Sequence, residues 1–531
     1  MSFKPNSLKL LSIILPLTLI WGCKESTHPD LYWSMGDFSI PSYQLKHQCE
    51  EPRVGTDPFN GKFYPDRYGS TFSEKMYLRA FNHETYLWYD EVIDTDPLTY
   101  DTVAHYFASL ITSDKTPQGR FKDRFHYIAS YDDYMKAQKK GLKAGFGFHF
   151  KTLHNQPPRD IRIAYTDDHS PASLQGVVRG DQLLEINGID VVNTVVEEEL
   201  SLINQVLSDP DLNQVVTFMF QSTETHPKVV TLTATEVITT PVHNVKVIPL
   251  QDKYIGYMQF NSFVSHAQMP LIEAFTFFKD QDIDELIIDL RYNGGGLIGQ
   301  SAQVAYMISG KSEASLFAEL IYNDKMAHIT QQGHNQYQFI DRQIDWENNQ
   351  PTHSFLPSLN SQRLFVLTSA QTASASELLI NGLRGVDIDV IQIGLPTLGK
   401  PYGFVPEQNC GNMYFTVQFQ SINAKGFYKF DDGFIPTDKD QVSVNTGLDN
   451  LVEGCLVSDD LTQLLGDPKE GLLSAALEYI TSQRCPDVEP TVNASYNAGY
   501  IQHSPSLFLK KMPWHNESIH LPLDNIYPHN P

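Results

Sequence analysis

Three apolar runs separated by helical patterns constrain this chain most. Glu285-Leu-Ile-Ile-Asp-Leu290 reads as a strand that runs into a glycine-rich loop, and a helical pattern follows from about Leu297 to Ile308. Arg363-Leu-Phe-Val-Leu-Thr-Ser369 reads as a second strand, followed by a helix from about Ala375 to Leu383. Asp389-Val-Ile-Gln-Ile393 reads as a third strand. Strands that alternate with helices in this way predict parallel crossover units. The alternation assigns an α/β domain to residues 238–485.

The rest of the 531 residues has a different character. From Ser73 to Val92 the pattern is helical, with Tyr77, Leu78, Phe81, Leu87 and Trp88 on an apolar stripe. A second helix is expected over Tyr100–Ile111, with Val103, Tyr106, Phe107 and Leu110 on one face. Residues 70–138 are therefore expected to form a small helical domain. Residues 141–236 carry short β-rich runs such as Ile161-Arg-Ile-Ala-Tyr and Val215-Val-Thr-Phe-Met-Phe. Residues 23–69 read as an extended leader and 486–531 as an irregular tail, both rich in turn-forming residues. The fold class expected is multidomain α+β.

The first segment reads as an address. Lys4 and Lys9 accompany an apolar stretch from Leu10 to Trp21, broken by Ser12, Pro16 and Thr18. It is short for a spanning helix and suits a secretory signal. It ends in Ile20-Trp21-Gly22-Cys23, which resembles the bacterial lipobox, with Trp21 in place of a small or β-branched residue. On this reading residues 1–22 are a lipoprotein-type signal peptide and Cys23 is lipidated. The chain is then exported and lipid-anchored in a bacterial envelope, facing the periplasm or the exterior. An ordinary signal peptide or an uncleaved anchor is the alternative.

Export bears on the five cysteines. With Cys23 lipidated, Cys49, Cys410, Cys455 and Cys485 remain, and three pairings into two disulfides are open. None has the close spacing of a zinc site. The formal charge of −24, with no Lys/Arg-rich run, argues against nucleic-acid partners.

Three motifs compete for the chemistry. The first, Gly294-x-Gly296-x-x-Gly299, follows a strand and opens a helix, as a dinucleotide fingerprint does, with Glu313 or Glu319 near the offset of a ribose ligand. The same loop could instead expose amides that stabilise an oxyanion. The second, Gly394-Leu-Pro-Thr-Leu-Gly399-Lys400-Pro401, nearly matches a phosphate-binding loop, but Pro401 stands where the magnesium-binding hydroxyl belongs. The third, Ser374-x-x-Glu377, is a capping box at the start of a helix. A hydroxyl at that place also lies beside unpaired N–H groups, where negative charge is stabilised.

Two resemblances join these motifs. Ala144-Gly-Phe-Gly-Phe-His-Phe, followed by Gly180-Asp181 and Ile186-Asn187-Gly188, resembles a PDZ domain. Gly145, Phe146, Gly147 and Phe148 then form its carboxylate-binding loop, where glycines let amide N–H groups converge on a peptide terminus. Beyond it, Asp289-Leu-Arg291-Tyr-Asn-Gly-Gly-Gly-Leu297, Thr372-Ala-Ser374-Ala-Ser376-Glu377 and Gly399-Lys400 occur in the order seen in the C-terminal processing peptidases. The resemblance covers roughly residues 70–470. It implies a catalytic domain of the Clp protease/crotonase type and a Ser–Lys site. Ser374, rather than Ser376, takes the place of the nucleophile and Lys400 that of the general base. The oxyanion donors would be the N–H groups of Gly296 (or Gly295) and Ala375. Many family members carry Gln four residues after the lysine, where this chain has Phe404.

Lysine is a base only when neutral, which requires its pKa to fall from ~10.4 to ~7–8. The sequence neighbours of Lys400 are Leu395, Leu398, Tyr402 and Phe404, mostly apolar. The expected function is therefore a serine endopeptidase cutting proteins near their C-termini, with no metal or organic cofactor implied. A catalytically inactive peptide-binding lipoprotein, a dinucleotide enzyme and a crotonase-like acyl-CoA enzyme are the alternatives.

Overall fold

In the computed structural model, residues 31–116, 119–140, 142–222, 227–312, 314–439, 442 and 449–486 are described. The signal segment, Cys23 and nearly all of the tail lie outside them. The architecture is mixed α+β and multidomain.

The apolar runs form neighbouring strands of one seven-stranded sheet. Its order is Val242–Leu250, Lys253–Phe260, Glu285–Asp289, Arg363–Thr368, Asp389–Gly394, Leu451–Leu456, Ile435–Thr437. All neighbours are parallel except the first pair, which is an antiparallel hairpin. Successive side chains point to opposite faces, and helices cover both, which is why these strands read as unbroken apolar runs. Leu286, Ile288, Leu364 and Val366 pack with helices Gln268–Asp280, Ile298–Ser309 and Ala375–Gly385. On the other face Ile287, Phe365, Leu367, Ile391 and Ile393 pack against Leu472, Leu473 and Ala476 of helix Gly471–Ser482.

A second sheet, of six strands, lies within residues 148–233, with Phe148–His154 at one edge and Lys228–Thr233 at the other. Phe146, Ile161, Ile163, Phe218 and Phe220 fill its core, with Ile203 and Val206 from helix Glu197–Ser208. The chain enters and leaves this β-rich unit through paired strands, Leu142–Gly145 against Thr235–Ile238.

The unit docks on the large sheet through a buried ionic joint. Asp459 accepts from Lys151 at 3.1 Å and also pairs with Arg179, both from the β-rich unit. It pairs as well with Arg291 at 3.1 Å, in the loop after Glu285–Asp289. Glu470 and Asp289 complete the shell around Arg291, at 2.8 Å each from Nη2, and Arg291 is fully buried. Asp459, Asp460 and Glu470 lie close enough to suggest a cation site. The guanidinium and ammonium groups on Asp459 and Glu470 already supply that positive charge.

The N-terminal region departs from its expected pattern in three places. The first helix runs over Thr71–Thr85 and stops before Leu87, which donates its N–H to Val417 O at 2.8 Å. Tyr86 and Trp88 instead turn into an aromatic cluster with Phe125, Tyr402, Phe404 and Phe415. The second helix is shorter, Val103–Ser109, because the Thr102 side chain caps it by accepting from His105 N–H. Residues 31–69, expected as an extended leader, are packed: Leu45 and Cys49 are buried, and Arg53 pairs with Asp66. Two disulfides resolve the pairing left open by the sequence, Cys49–Cys410 and Cys455–Cys485. The first ties this region to the turn before strand Asn412–Phe415, which itself pairs with Tyr127–Ser130.

Candidate active site

Three neighbouring parallel strands end at one place, and each hands over a motif. Glu285–Asp289 leads to the glycine-rich loop, Arg363–Thr368 to Ser374, and Asp389–Gly394 to Lys400. Loops at the carboxyl ends of such strands are where parallel sheets place their sites.

Ser374 occupies a strained turn between strand and helix, with φ 57° and ψ −117°. A positive φ in a residue with a Cβ costs on the order of 1–3 kcal/mol and persists only where the surroundings enforce it. Here they do. Thr372 Oγ1 donates to Leu290 O at 2.8 Å, and Ala373 N–H donates to Asn293 O at 3.1 Å. The Ser374 N–H donates to Glu377 Oε2 at 2.9 Å. Ser374 is 1% exposed, and among the described residues its Oγ finds no hydrogen-bond partner. Ser376, the other serine of the motif, has its Oγ bound to Asn293 O at 3.1 Å. Its hydroxyl is therefore engaged where that of Ser374 is not.

The glycine-rich loop presses against this turn. A Cβ on Gly295 would lie 2.7 Å from Ser374 Cβ, and one on Gly296 only 2.2 Å from Phe263 O. Both residues have positive φ, 110° and 133°, so no other residue type fits without displacing the loop. Gly295 donates its N–H to Asn293 Oδ1 at 2.9 Å. The glycines thus serve close approach to protein groups, Phe263 and Ser374, and nothing in this packing favours a dinucleotide.

Lys400 is 1% exposed, and two phenyl rings lie against its ammonium end. Its Nζ is 4.4 Å from the ring centre of Phe404 and 5.3 Å from that of Phe125. Its backbone is fixed by Glu377, whose role was understated by the capping pattern. Glu377 Oε2 accepts Lys400 N–H at 2.8 Å, and Oε1 accepts Thr397 Oγ1 at 2.6 Å and Gly399 N–H at 2.7 Å. In the Gly394–Lys400 loop the amides of Gly399 and Lys400 are therefore bound to a carboxylate, and those of Leu395, Thr397 and Leu398 to backbone carbonyls, so a phosphate would have to displace them. Burial pushes the Glu377 carboxyl above its ordinary range, against the pull of these donors.

The structure thus brings the Ser374–Ala375 turn, the Gly295–Gly296 loop and the Lys400 backbone together: Gly295 packs on Ser374 and Ala375, and Glu377 bridges Ser374 and Lys400. Gly145, Phe146, Gly147 and Phe148 lie apart from them, in the β-rich unit. Phe146 is a core residue there, and its carbonyl accepts Ala172 N–H at 2.9 Å. Gly147 O accepts Asp167 N–H at 2.8 Å. Sequence reasoning missed Arg124, which donates to Gly399 O at 3.1 Å, and Phe125; no local pattern marks either.

Residues 254–410 match the profile of peptidase family S41, a span that holds all three motifs. The chain is 26% identical over 268 residues to the carboxyl-terminal-processing protease of Picosynechococcus sp., covering 50% of this chain and 56% of that one. It is 24% identical over 326 residues to the chloroplastic C-terminal processing peptidase of Tetradesmus obliquus, covering 60% and 62%. The chain thus spans about three fifths of the length of these relatives. Among solved structures, an S41 protease from Bacteroides fragilis shares the fold, with a TM-score of 0.57 at 20% identity over 79% of this chain and 100% of that one. The three motifs that converge at the ends of adjacent strands thus lie in the span, residues 254–410, that matches peptidase family S41 and is similar to carboxyl-terminal processing peptidases.

Proposed function

We propose that this chain is an exported serine endopeptidase that cuts extracytoplasmic proteins near their C-termini, with Ser374 as nucleophile and Lys400 as general base. Neutral Lys400 takes the Ser374 hydroxyl proton as Oγ attacks the scissile carbonyl carbon. The oxyanion accepts N–H bonds from Ala375 and Gly296; Gly295 is the weaker candidate because its N–H is committed to Asn293. The peptide C–N bond breaks, the lysine returns its proton to the leaving amine, and water then hydrolyses the Ser374 ester. The observation that carries this reading is the buried, strained Ser374 held by the same carboxylate oxygen that holds Lys400.

Substrate choice falls to the PDZ-like unit. The edge strand Phe148–His154 follows the Gly145–Phe148 loop, so a peptide could add as a strand with its terminal carboxylate at the loop amides. Cys23 would carry the lipid that keeps the enzyme at its membrane.

The test is hydrolysis of an unfolded protein by wild type, Ser374→Ala and Lys400→Ala. Each variant is expected to retain on the order of a thousandth of the activity or less. Undiminished proteolysis by Ser374→Ala would sink the assignment. Specificity is read by comparing peptides with free and amidated C-termini; equal cleavage would remove the role given to the Gly145–Phe148 loop.

A further inference from the structure

The pocket around Lys400 is not completed by the S41-matching span. One of its two rings, Phe125, comes from the N-terminal region, and so does the guanidinium of Arg124, which binds Gly399 O from 275 residues upstream. Phe125 is 1% exposed and firmly placed. Its N–H donates to Asp123 Oδ1 at 2.8 Å, and its ring lies 6.2 Å from that of Tyr402. Asp123 is itself anchored by Tyr86 Oη at 2.7 Å.

We propose that Arg124 and Phe125 are positioning residues for Lys400, so that the N-terminal region supplies half of the device that makes this lysine a base. This rests on the Ser374–Lys400 reading above. Arg124 fixes the carbonyl of the peptide unit whose N–H belongs to Lys400, while Glu377 fixes that N–H. Backbone position is thereby set from both sides. The side chain is set by Phe125 and Phe404, which form a slot around Nζ at the place where the motif lacks a glutamine.

Two arguments favour this over mere packing. A lysine side chain has up to about 2 kcal/mol of rotamer freedom to lose, and a proton acceptor must be held to within roughly 0.5 Å. Rings restrict it without offering an acceptor that would compete for the ammonium proton. Several described acids near the lysine hold other donors. Glu377 takes four donors, Asp123 takes Tyr86 and two backbone N–H groups, Asp431 takes Tyr402, and Asp432 pairs with Arg120. Second, Arg124 is kept deep in the protein at a cost. Burial lowers its pKa to about 10, and among the described residues its Nη1 has no partner. A structural residue at that depth would be expected to satisfy all its donors.

The rings act on the lysine in two opposing ways. A cation over an aromatic face gains about 0.5–2 kcal/mol, whereas exclusion of water can disfavour the charged form by several pKa units. Exclusion is the larger effect, so opening the slot should favour the ammonium.

The experiment measures kcat and KM from pH 5 to 10 for wild type, Phe125→Leu and Arg124→Lys, with Ser374→Ala and Lys400→Ala as references. Both positioning variants are expected to lose on the order of 10-fold in kcat with KM little changed. The acid limb of the pH profile should move up by about one unit. Arg124→Lys keeps the charge and decides the matter should Phe125→Leu fail to fold. An unchanged acid limb in folded Arg124→Lys, whatever its rate, overturns the proposal. If Ser374→Ala and Lys400→Ala hydrolyse as wild type, the dyad itself falls; if they are inactive while Arg124→Lys matches wild type, only the positioning role falls.

Discussion

Glu377 Oε2 lies 2.8 Å from the backbone nitrogen of Lys400, 23 residues further along the chain. That bond turns a local helix cap into the joint between two halves of the site, because the same oxygen holds Ser374 N–H. Replacing Glu377 by Gln leaves one acceptor where two oxygens serve four donors. An unpaired buried donor costs about 1–3 kcal/mol, so Glu377→Gln should lower stability by about that much or more. Its kcat should also fall by at least 10-fold because the Ser374 and Lys400 turns lose their shared anchor. Urea unfolding and steady-state kinetics check this; a variant as stable and as active as wild type would contradict it.

Asp459 makes the docking of the β-rich unit sensitive to acid. Burial raises its pKa, but Lys151, Arg179 and Arg291 outweigh burial and hold the carboxyl well below its ordinary value. A depressed folded pKa contributes stability above the unfolded value of ~3.9, and that contribution is lost as pH falls below it. Asp459→Asn leaves Arg179 and Arg291 short of a buried counter-charge and should cost about 3–5 kcal/mol at neutral pH. It should also flatten the dependence of stability on pH between about 5 and 2. Denaturant titrations of both proteins at neutral and acid pH read this, and parallel losses in the two would refute it.

Gly296 tests the loop that is assigned an oxyanion role. A methyl group there would sit 2.2 Å from Phe263 O, and the residue's φ of 133° disfavours any side chain. Gly296→Ala should shift the loop and reduce kcat by roughly 10²–10³-fold, the effect of losing one oxyanion donor. The loss should appear in kcat more than in KM. A change confined to KM would place the loop in ground-state binding instead.

The sheet was legible in the sequence because its central strands are buried on both faces. Glu285–Asp289, Arg363–Thr368 and Asp389–Gly394 read as apolar runs ended by Gly or by Ser/Thr/Ala-rich turns, and the structure places them nearly as read. Ser374-x-x-Glu377 was legible as a cap because a cap is local. The other bonds of Glu377, to Thr397, Gly399 and Lys400, cross more than a strand and leave no periodic mark. Arg124 and Phe125 were illegible for the same reason at larger scale. The first helix was read too long because Leu87 and Trp88 keep its apolar rhythm; their partners are Val417 and Tyr402, not the helix's own core.

The two disulfides should separate stability from catalysis. Cys49–Cys410 closes a span of 361 residues and Cys455–Cys485 one of 30. On chain-entropy grounds the longer loop contributes about 6 kcal/mol and the shorter about 3–4 kcal/mol. Their positions differ more than their energies. Cys455 and Cys485 belong to the face of the sheet covered by helix Gly471–Ser482. Cys410 lies in the turn that leads to Asn412–Phe415, and that strand pairs with Tyr127–Ser130, two residues beyond Phe125. Paired Cys→Ser replacement at 455 and 485 should therefore lower the unfolding midpoint and leave kcat nearly unchanged at temperatures where the protein stays folded. The same replacement at 49 and 410 should lower both, since it loosens the region that walls Lys400. Equal kcat in the two double variants, measured on folded protein, would show that the N-terminal region holds its place beside Lys400 without the covalent tie.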